Sequence, residues 1–311
     1  IGSNSDPLKP YLNIGEIIQV ALDNDVDAIH PGYGFLSENA KFAQACQDNG
    51  IIFIGPSPSV LSSLGNKVKA KEVAVASDVP IIKSNENELT DIKTALSEAK
   101  EIGYPVMLKA VSGGGGRGMR VIRDESELKK AFTESKREAL NAFGDDTVFI
   151  EKYLENPKHI EVQIVADNFG NIVHLFERDC SVQRRHQKVI EFAPSFGLKQ
   201  ETKDKLYEYA IAICKAVDYN NIGTVEFLVE GDEVYFIEVN PRIQVEHTVT
   251  EVVVNFDLVK TQIFIAGGYK LRDAQALVDE EYPDKDIMVI FGRDFLANPD
   301  LVYRIKQGLE L

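Results

Sequence analysis

Residues 224–247 read TVEFLVEGDEVYFIEVNPRIQVEH, and their reading decides the fold. Val225, Phe227 and Val229 alternate with Glu226, Leu228 and Glu230, and Tyr235, Ile237 and Val239 alternate with Phe236, Glu238 and Asn240. A period of two is a strand signal, and Gly231-Asp232 marks the turn of a β-hairpin. An odd-length loop centred on Asp232 sets Glu226 directly opposite Glu238, whereas a two-residue loop sends them to opposite faces. The odd register is expected, because it gathers the odd-numbered residues into one unbroken apolar face. Its even face then carries two opposed carboxylates, which destabilise a sheet unless a cation lies between them. Carboxylate oxygens suit Mg²⁺ or Mn²⁺, so Glu226 and Glu238 are candidate metal ligands, with Asn240 following in phase. If the chain stays extended past Pro241, Arg242, Gln244 and Glu246 fall on the same side, with Ile243 and Val245 alternating as a buried set. The bland alternative is a solvated outer face of an antiparallel sheet. Polar residues in phase from Glu238 to Glu246 weigh against it.

Outward from this hairpin, the 311 residues suffice for two or three subdomains, and the net charge is −15. Such acidity argues against general nucleic-acid binding and against attraction to anionic membranes. No apolar run approaches the length of a membrane span. Cys46, Cys180 and Cys214 lie far apart without metal-ligand spacing, which points to a reducing setting, the cytoplasm or a mitochondrial matrix. The chain opens on Ile1 without an initiator Met and is expected to be an excerpt of something longer.

Residues 1–80 alternate helix and short strand, the rhythm of parallel strands. Ile14 to Asp23 is an amphipathic helix, 27–30 and 51–54 are strands, and Ser37 is the expected cap of a helix between them. Residues 81–152 form a small α+β unit of helix, strand, glycine loop, strand, long helix and strand. Residues 153–268 add strands 159–166 and 172–178, a basic loop, helix 200–218, the opening hairpin and a helix at 257–266. Residues 269–311 form an atypical tail.

The glycine loop SGGGGRG (112–118) lets backbone N–H groups approach an anion closely. A strand rather than a helix follows it, so neither a dinucleotide fingerprint nor a Walker A loop fits. It reads as a flap able to close on phosphates, or else as a plain flexible hairpin. Lys109 stands on the strand feeding it, in reach of a phosphate or simply solvated. Residues 178–188, RDCSVQRRHQK, concentrate four fixed positive charges in an acidic chain, which suggests an anion site against the alternative of a solvated face. Cys180 reads as packing rather than as a nucleophile, since no His/Asp triad spacing accompanies it. The strand ending in EKYL (151–154) offers backbone groups to an adenine edge. His159 is either a satisfied structural histidine or a contact residue, and His30 reads as structural.

These stretches together resemble the biotin carboxylase domain of the ATP-grasp fold. The resemblance is carried by HPGYGFLSEN (30–39), GNK (65–67), LKAVSGGGGRGMR (108–120), EKYLENPKHIEVQ (151–163), HLFERDCSVQRRHQKVIE (174–191) and FIEVNPRIQVEHTVTE (236–251), and it runs to about Gly268. Phe176 is similar to pyruvate carboxylases rather than to acetyl-CoA carboxylases, where Gly is usual. The resemblance implies an α/β fold with an α+β lid, preceded by a partial doubly wound N-terminal subdomain. It also implies a two-step reaction, in which ATP phosphorylates bicarbonate to carboxyphosphate and the CO₂ released carboxylates biotin at N1.

Residue by residue, Lys67 and Lys109 resemble the phosphate-binding lysines, and Gly113, Gly114, Gly115, Gly116 and Gly118 the lid loop. Glu151, Lys152 and Leu154 resemble the adenine contacts, and His159, Gln183, His186 and Leu228 further nucleotide contacts. Glu226 and Glu238, with Asn240, resemble the ligands of Mg²⁺ or Mn²⁺. Lys188 resembles the anion-stabilising lysine, Arg242, Gln244 and Val245 the bicarbonate site, and Glu246 the base that deprotonates bicarbonate. A carboxylate held beside an arginine is expected to stay ionised. The tail FGRDFLANPDLVYRIKQGLEL (291–311) is instead similar to the end of old-yellow-enzyme flavin reductases. Twenty residues cannot build that barrel, so no flavin site is expected. No Ala-Met-Lys-Met biotin-attachment sequence is present, which places the carboxyl carrier and carboxyltransferase parts elsewhere in a parent chain, expected to be a homo-oligomer. Another ATP-grasp ligase, the same half-reaction in an acyl-CoA carboxylase, and a nucleotide-binding fragment without turnover are the alternatives.

Overall fold

The computed structural model describes residues 8–85, 89–110, 119–184 and 187–268. The glycine loop with Gly113 to Gly116 and Gly118, His186 and the tail 269–311 lie outside the described residues, and so do the expectations attached to them.

In the first stretch are α1 (Lys9–Leu12), α2 (Ile14–Asp23), β1 (Ala28–Ile29), α3 (Ala40–Asp48), β2 (Ile52–Phe53), α4 (Pro58–Leu64) and α5 (Lys67–Ala76). β1 and β2 pair in parallel. Ile18, Phe42, Cys46, Phe53 and Leu61 form the core around them. The cap of α3 is Asn39 rather than Ser37: its carboxamide oxygen accepts the Phe42 N–H at 3.0 Å, while Ser37 is buried just upstream. Asn66 caps α5 in the same way, accepting from Val68 and Lys69 at 3.0 and 3.1 Å. That cap makes Lys67 the first residue of the helix.

Next come α6 (Ile92–Ile102), β3 (Val106–Ala110), β4 (Met119–Ile122), α7 (Glu125–Phe143) and β5 (Val148–Lys152). The three strands form an antiparallel sheet in the order β4-β3-β5. Leu108, Ile122 and Ile150 pack under Ala99, Leu128 and Phe132 of the two helices.

The third stretch holds β6 (Lys158–Ala166), β7 (Ile172–Arg184), β8 (Gln187–Phe192), α8 (Gln200–Ala216), β9 (Asn221–Glu230), β10 (Glu233–Asn240), α9 (His247–Val254) and α10 (Leu258–Ala266). Its strands form a five-stranded antiparallel sheet in the order β10-β9-β6-β7-β8. Residues 178–188 are therefore not a basic loop: β7 runs on to Arg184 and β8 turns back beside it, pairing Gln183 with Lys188. Ile160, Val162 and Ile164 of β6 and Val225, Phe227 and Val229 of β9 join one core with α4, α5 and α8. Because strand side chains alternate, His159, Glu161, Gln163, Thr224 and Glu226 must project from the other face. That face holds the candidate site.

The hairpin register differs from the expected one in its cause. The loop has two residues, with Glu230 opposite Glu233, and Gly231 takes φ +64° as such a turn requires. A two-residue loop alone would have put Glu226 and Glu238 on opposite faces. A β-bulge restores them: Phe236 pairs with Phe227, Ile237 is the extra residue, and Glu238 pairs with Glu226. The apolar phase of β10 is therefore not unbroken. Val234 and Phe236 point into the core before the bulge, and Val239 does after it. Beyond Pro241 the chain does not stay extended either. The Arg242 N–H turns back to the Asn240 carbonyl at 2.8 Å, and α9 begins at His247. Val245, expected in a buried set, is exposed. Among the described residues no helix is long and apolar enough to cross a membrane.

Two glycines of β9 and its turn test this account. A Cβ on Gly223 would lie 1.8 Å from the Tyr219 hydroxyl oxygen and 3.2 Å from the Asn240 carbonyl. Gly223→Ala is expected to cost about 1–3 kcal/mol by overpacking. Gly231→Ala, strained only through its φ, should cost about 1 kcal/mol. Denaturant unfolding that ranks them in the opposite order would contradict the packing described.

Candidate active site

Register builds the site. It aligns Glu238 with Glu226, Glu226 with Glu161, and Glu161 with Arg178, across β10, β9, β6 and β7. Three glutamates in a row on one sheet face would repel one another, and Glu161 and Glu226 are almost wholly buried. The chain supplies its own cations. The Lys188 Nζ donates to Glu226 and Glu246 at 2.9 Å each and also to Glu161. Arg178, without exposed surface, donates through Nε to Glu161, through Nη1 to Gln163 and Thr250 at 2.8 Å each, and through Nη2 to Gln244 at 2.9 Å and Thr224 at 3.3 Å. An arginine has five N–H donors, and every one is used.

The electrostatic consequences are large. Burial by itself pushes the Glu226 carboxyl up, but hydrogen bonds from His159 and Lys188 and the charge of Lys188 outweigh it and hold that carboxyl far below the usual range. Glu246 follows the same pattern: burial raises it, the Lys188 ammonium lowers it further, and the group stays ionised. Burial opposes the charge on Lys188, yet Glu161, Glu226 and Glu246 raise its pKa well above the ordinary value. The cation beside Glu246 is thus a lysine and not Arg242. The Arg242 guanidinium donates to Glu38 at 2.6 Å, to the Ile243 carbonyl at 3.2 Å and to the Asn240 side-chain oxygen at 3.0 Å.

Glu226 is the hub. Its Oε1 also accepts from Asn240 Nδ2 at 2.8 Å and Gln244 Nε2 at 3.1 Å, and its Oε2 meets His159 Nε2 at 2.6 Å. Gln183 donates to His159 Nδ1 and to the Cys180 carbonyl, at 2.9 Å each. The carbonyl can only accept, so the Gln183 nitrogen is fixed there, and His159 passes its own N–H to Glu226. Glu238, partly exposed, pairs with Lys67 at 2.8 Å. As opposed hard oxygen donors, one buried and one reachable, Glu226 and Glu238 fit a divalent cation. The Asn240 oxygen is engaged by Arg242 and would join them only on release. Glu161, Cys180 and Glu246 also bring ligand atoms within 4.8 Å of one another. Lys188 already bridges both of those carboxylates.

A second group lies on the three-stranded sheet. Lys109 is ion-paired with buried Glu151, and Leu154 is buried. The Lys152 ammonium donates to the Gly103 and Tyr104 carbonyls at 2.9 and 3.2 Å. Its backbone N–H goes to the Lys83 carbonyl at 2.8 Å, and that of Tyr153 goes to Pro105 at 3.2 Å. Leu228 is half-buried, opposite His159 and Tyr235. Cys180 is buried and burial pushes its thiol up, away from nucleophilic thiolate.

Sequence reasoning missed Glu161, Arg178 and Glu38. The signal for Glu161 was present: His159, Glu161 and Gln163 alternate with Ile160, Val162 and Ile164 exactly as a second polar face would. Arg178 was counted only as one more basic charge. Chemically, the assembled site offers an ionised carboxylate beside an ammonium, a carboxamide donor and an opposed carboxylate pair, which suits an oxyanion, a base and a cation.

The shared lysine can be tested through stability. Depressed carboxyls such as Glu226 and Glu246 contribute stability that is present above the unfolded value near about 4.3 and is lost as pH falls through the lower folded values. In Lys188→Met these carboxyls face one another without a cation, and their folded pKa values rise instead. The variant should lose about 3–5 kcal/mol at pH 7, and the loss should shrink toward about pH 5. Denaturant melts showing an equal loss at both pH values would contradict the shared ion pair.

Residues 1–61 match the family described as the biotin carboxylase N-terminal domain, and residues 66–274 that described as the carbamoyl-phosphate synthase L chain ATP binding domain. The pyruvate carboxylase of Staphylococcus aureus is 55% identical over 271 residues, 87% of this chain and 24% of that protein. A biotin carboxylase of Halalkalibacterium halodurans is 51% identical over 268 residues, 86% of this chain and 59% of that protein. The solved biotin carboxylase domain of Hydrogenobacter thermophilus 2-oxoglutarate carboxylase, in complex with MgADP, ADP and bicarbonate, superposes with a TM-score of 0.76 at 48% identity, over 88% of this chain and 60% of that one. The chain spans about a quarter of the length of the pyruvate carboxylases it matches.

Proposed function

The chain belongs to the biotin carboxylases of the ATP-grasp family, and from that premise we propose that it performs the ATP- and bicarbonate-dependent carboxylation of biotin, the first half-reaction of a pyruvate carboxylase. The observation that carries this reading is the Lys188–Glu246 pair, set against Gln244 and Glu226 on one polar sheet face. A carboxylate kept ionised by a neighbouring ammonium can take the bicarbonate proton. The bicarbonate oxygen then forms a bond to the γ-phosphorus of ATP, and the bond to the ADP oxygen breaks. Carboxyphosphate splits into CO₂ and phosphate; the phosphate takes the N1 proton of biotin, and the N1 nitrogen forms its new bond to the CO₂ carbon. Lys188 and Gln244 offer donors to the anion, and Arg242 joins them when it exchanges Glu38 for bicarbonate. Glu226 and Glu238 would hold a divalent cation, which would supply charge neutralisation for the transferring phosphoryl group. Lys67 and Lys109, now held by Glu238 and Glu151, turn to phosphates in this reading, and Glu151 to Leu154, His159, Gln183 and Leu228 line the nucleotide.

In the same reading residues 1–80, 81–152 and 153–268 are three subdomains, supported by their three separate sheets, although α4 and α5 of the first pack into the core of the third. Carrier and carboxyltransferase parts belong to the remainder of a parent chain that assembles as a homo-oligomer, in the cytoplasm or a mitochondrial matrix.

The decisive experiment is ATP cleavage with free biotin, with and without bicarbonate. Bicarbonate-dependent cleavage is expected. Cleavage independent of bicarbonate would sink the reading, and nucleotide-dependent melting without turnover would mark a binding fragment instead. Glu246→Gln should lower the bicarbonate-dependent rate by about 10²-fold or more while nucleotide affinity stays near normal. Lost nucleotide binding in that variant would contradict the role as base.

A further inference from the structure

We propose that Arg178 is the positioning residue that orients the Gln244 carboxamide so that it presents N–H rather than C=O to the anion pocket. The inference rests on the reading of that pocket as the bicarbonate site. Arg178 has no exposed surface and all five of its N–H groups are bonded to protein partners, so it acts through those partners. Its guanidinium carries donors and no acceptor. Any carboxamide within its reach must therefore turn its oxygen inward. Gln244 does so, with Oε1 2.9 Å from Arg178 Nη2. Its Nε2 is thereby swung to Glu226 Oε1 at 3.1 Å, a contact that takes one of the two amide hydrogens. The opposite rotamer would set oxygen against carboxylate, which suits neither Glu226 nor an incoming anion.

Gln163 shows the same rule on the next strand position. Its Oε1 accepts from Arg178 Nη1 at 2.8 Å, and its Nε2 donates to the Gly223 carbonyl at 3.0 Å. The guanidinium cannot swivel to follow a moving glutamine. Glu161 holds its Nε, and Thr224 of β9 and Thr250 of α9 hold its two ends. A lysine would keep the charge but supply three donors from a single nitrogen, without the fixed fork.

The test is steady-state ATP cleavage with separate titration of bicarbonate and ATP, together with calorimetric binding of MgADP. Arg178→Lys should raise the KM for bicarbonate about tenfold, the loss of one charge-assisted hydrogen bond. The KM for ATP and the MgADP affinity should change less than about twofold. Introduced into Gln244→Leu, the same change should have little further effect on the bicarbonate KM, because both act through one group. If the melting curve shows that Arg178→Lys does not fold, Thr250→Val keeps the arginine and removes one anchor, and it should raise the bicarbonate KM about two- to threefold. An unchanged bicarbonate KM in the folded variant, an equal rise in the KM for ATP, or full additivity with Gln244→Leu would overturn the proposal. Absence of bicarbonate dependence in the unaltered chain would overturn the functional reading itself, and this inference with it.

Discussion

Three carboxylates aligned across three adjacent strands are the constraint on which the rest of this structure depends. Glu238, Glu226 and Glu161 are neighbours through backbone pairing alone, and two of them are buried. An isolated buried carboxylate would sooner bind a proton than remain charged. The strands can keep this register with ionised glutamates only if cations are delivered to the same face. Two features of the fold deliver them: the continuation of β7 and β8 as a hairpin, which brings Lys188 back over the sheet, and the position of Arg178 next in line after Glu161. Burial opposes the charges on Lys188, Glu226 and Glu246, and mutual pairing overcomes it. Such a cluster is pre-organised for anion and metal chemistry, because its dipoles and charges are set before a reactant arrives.

Much of this was legible in the sequence. The polar period of residues 226, 238 and 240 and the parallel rhythm of the first strands follow from local patterns, whereas the cap expected at Ser37 falls two residues later, at Asn39. What could not be read was anything decided by two segments at once. The pairing of Glu226 with Glu238 was expected for the wrong reason, because a bulge at Ile237 compensates a two-residue turn. A bulge leaves no signature in hydrophobic alternation when its extra residue is itself apolar. The stretch 178–188 looked like a loop because its charges hid a strand whose polar side faces other charges. Arg242 and Glu38 are separated by about two hundred positions, and nothing local links them.

The hydrogen-bond pattern also assigns chemical identity to atoms that a backbone trace would leave ambiguous. Carboxamide oxygens and nitrogens are interchangeable in shape, so their orientation must come from their partners. At Gln183 a backbone carbonyl decides it, and at Gln163 and Gln244 an arginine does. The decisions propagate: Gln183 fixes which nitrogen of His159 accepts, and His159 then donates to Glu226. One polar network thus fixes donors and acceptors across four strands.

The ion pairs that reach from the first stretch of the chain to the hairpin have a different status. Lys67 is four-fifths exposed where it meets Glu238, and the Glu38 partner of Arg242 is more than a third exposed. Pairs of this kind contribute about 0–1 kcal/mol, against about 1.5–3 kcal/mol for each large apolar side chain buried. Val60 and Leu64 of α4 and Ala70 and Ala74 of α5 share one core with Val225, Val234 and Phe236. The Phe236 N–H is tied to the Pro80 carbonyl at 2.8 Å. Apolar packing and that backbone bond therefore hold the hairpin in place, and the peripheral salt bridges do not. Lys67 and Arg242 can leave their carboxylates for a phosphate or a bicarbonate without loosening the ribbon on which the site is built.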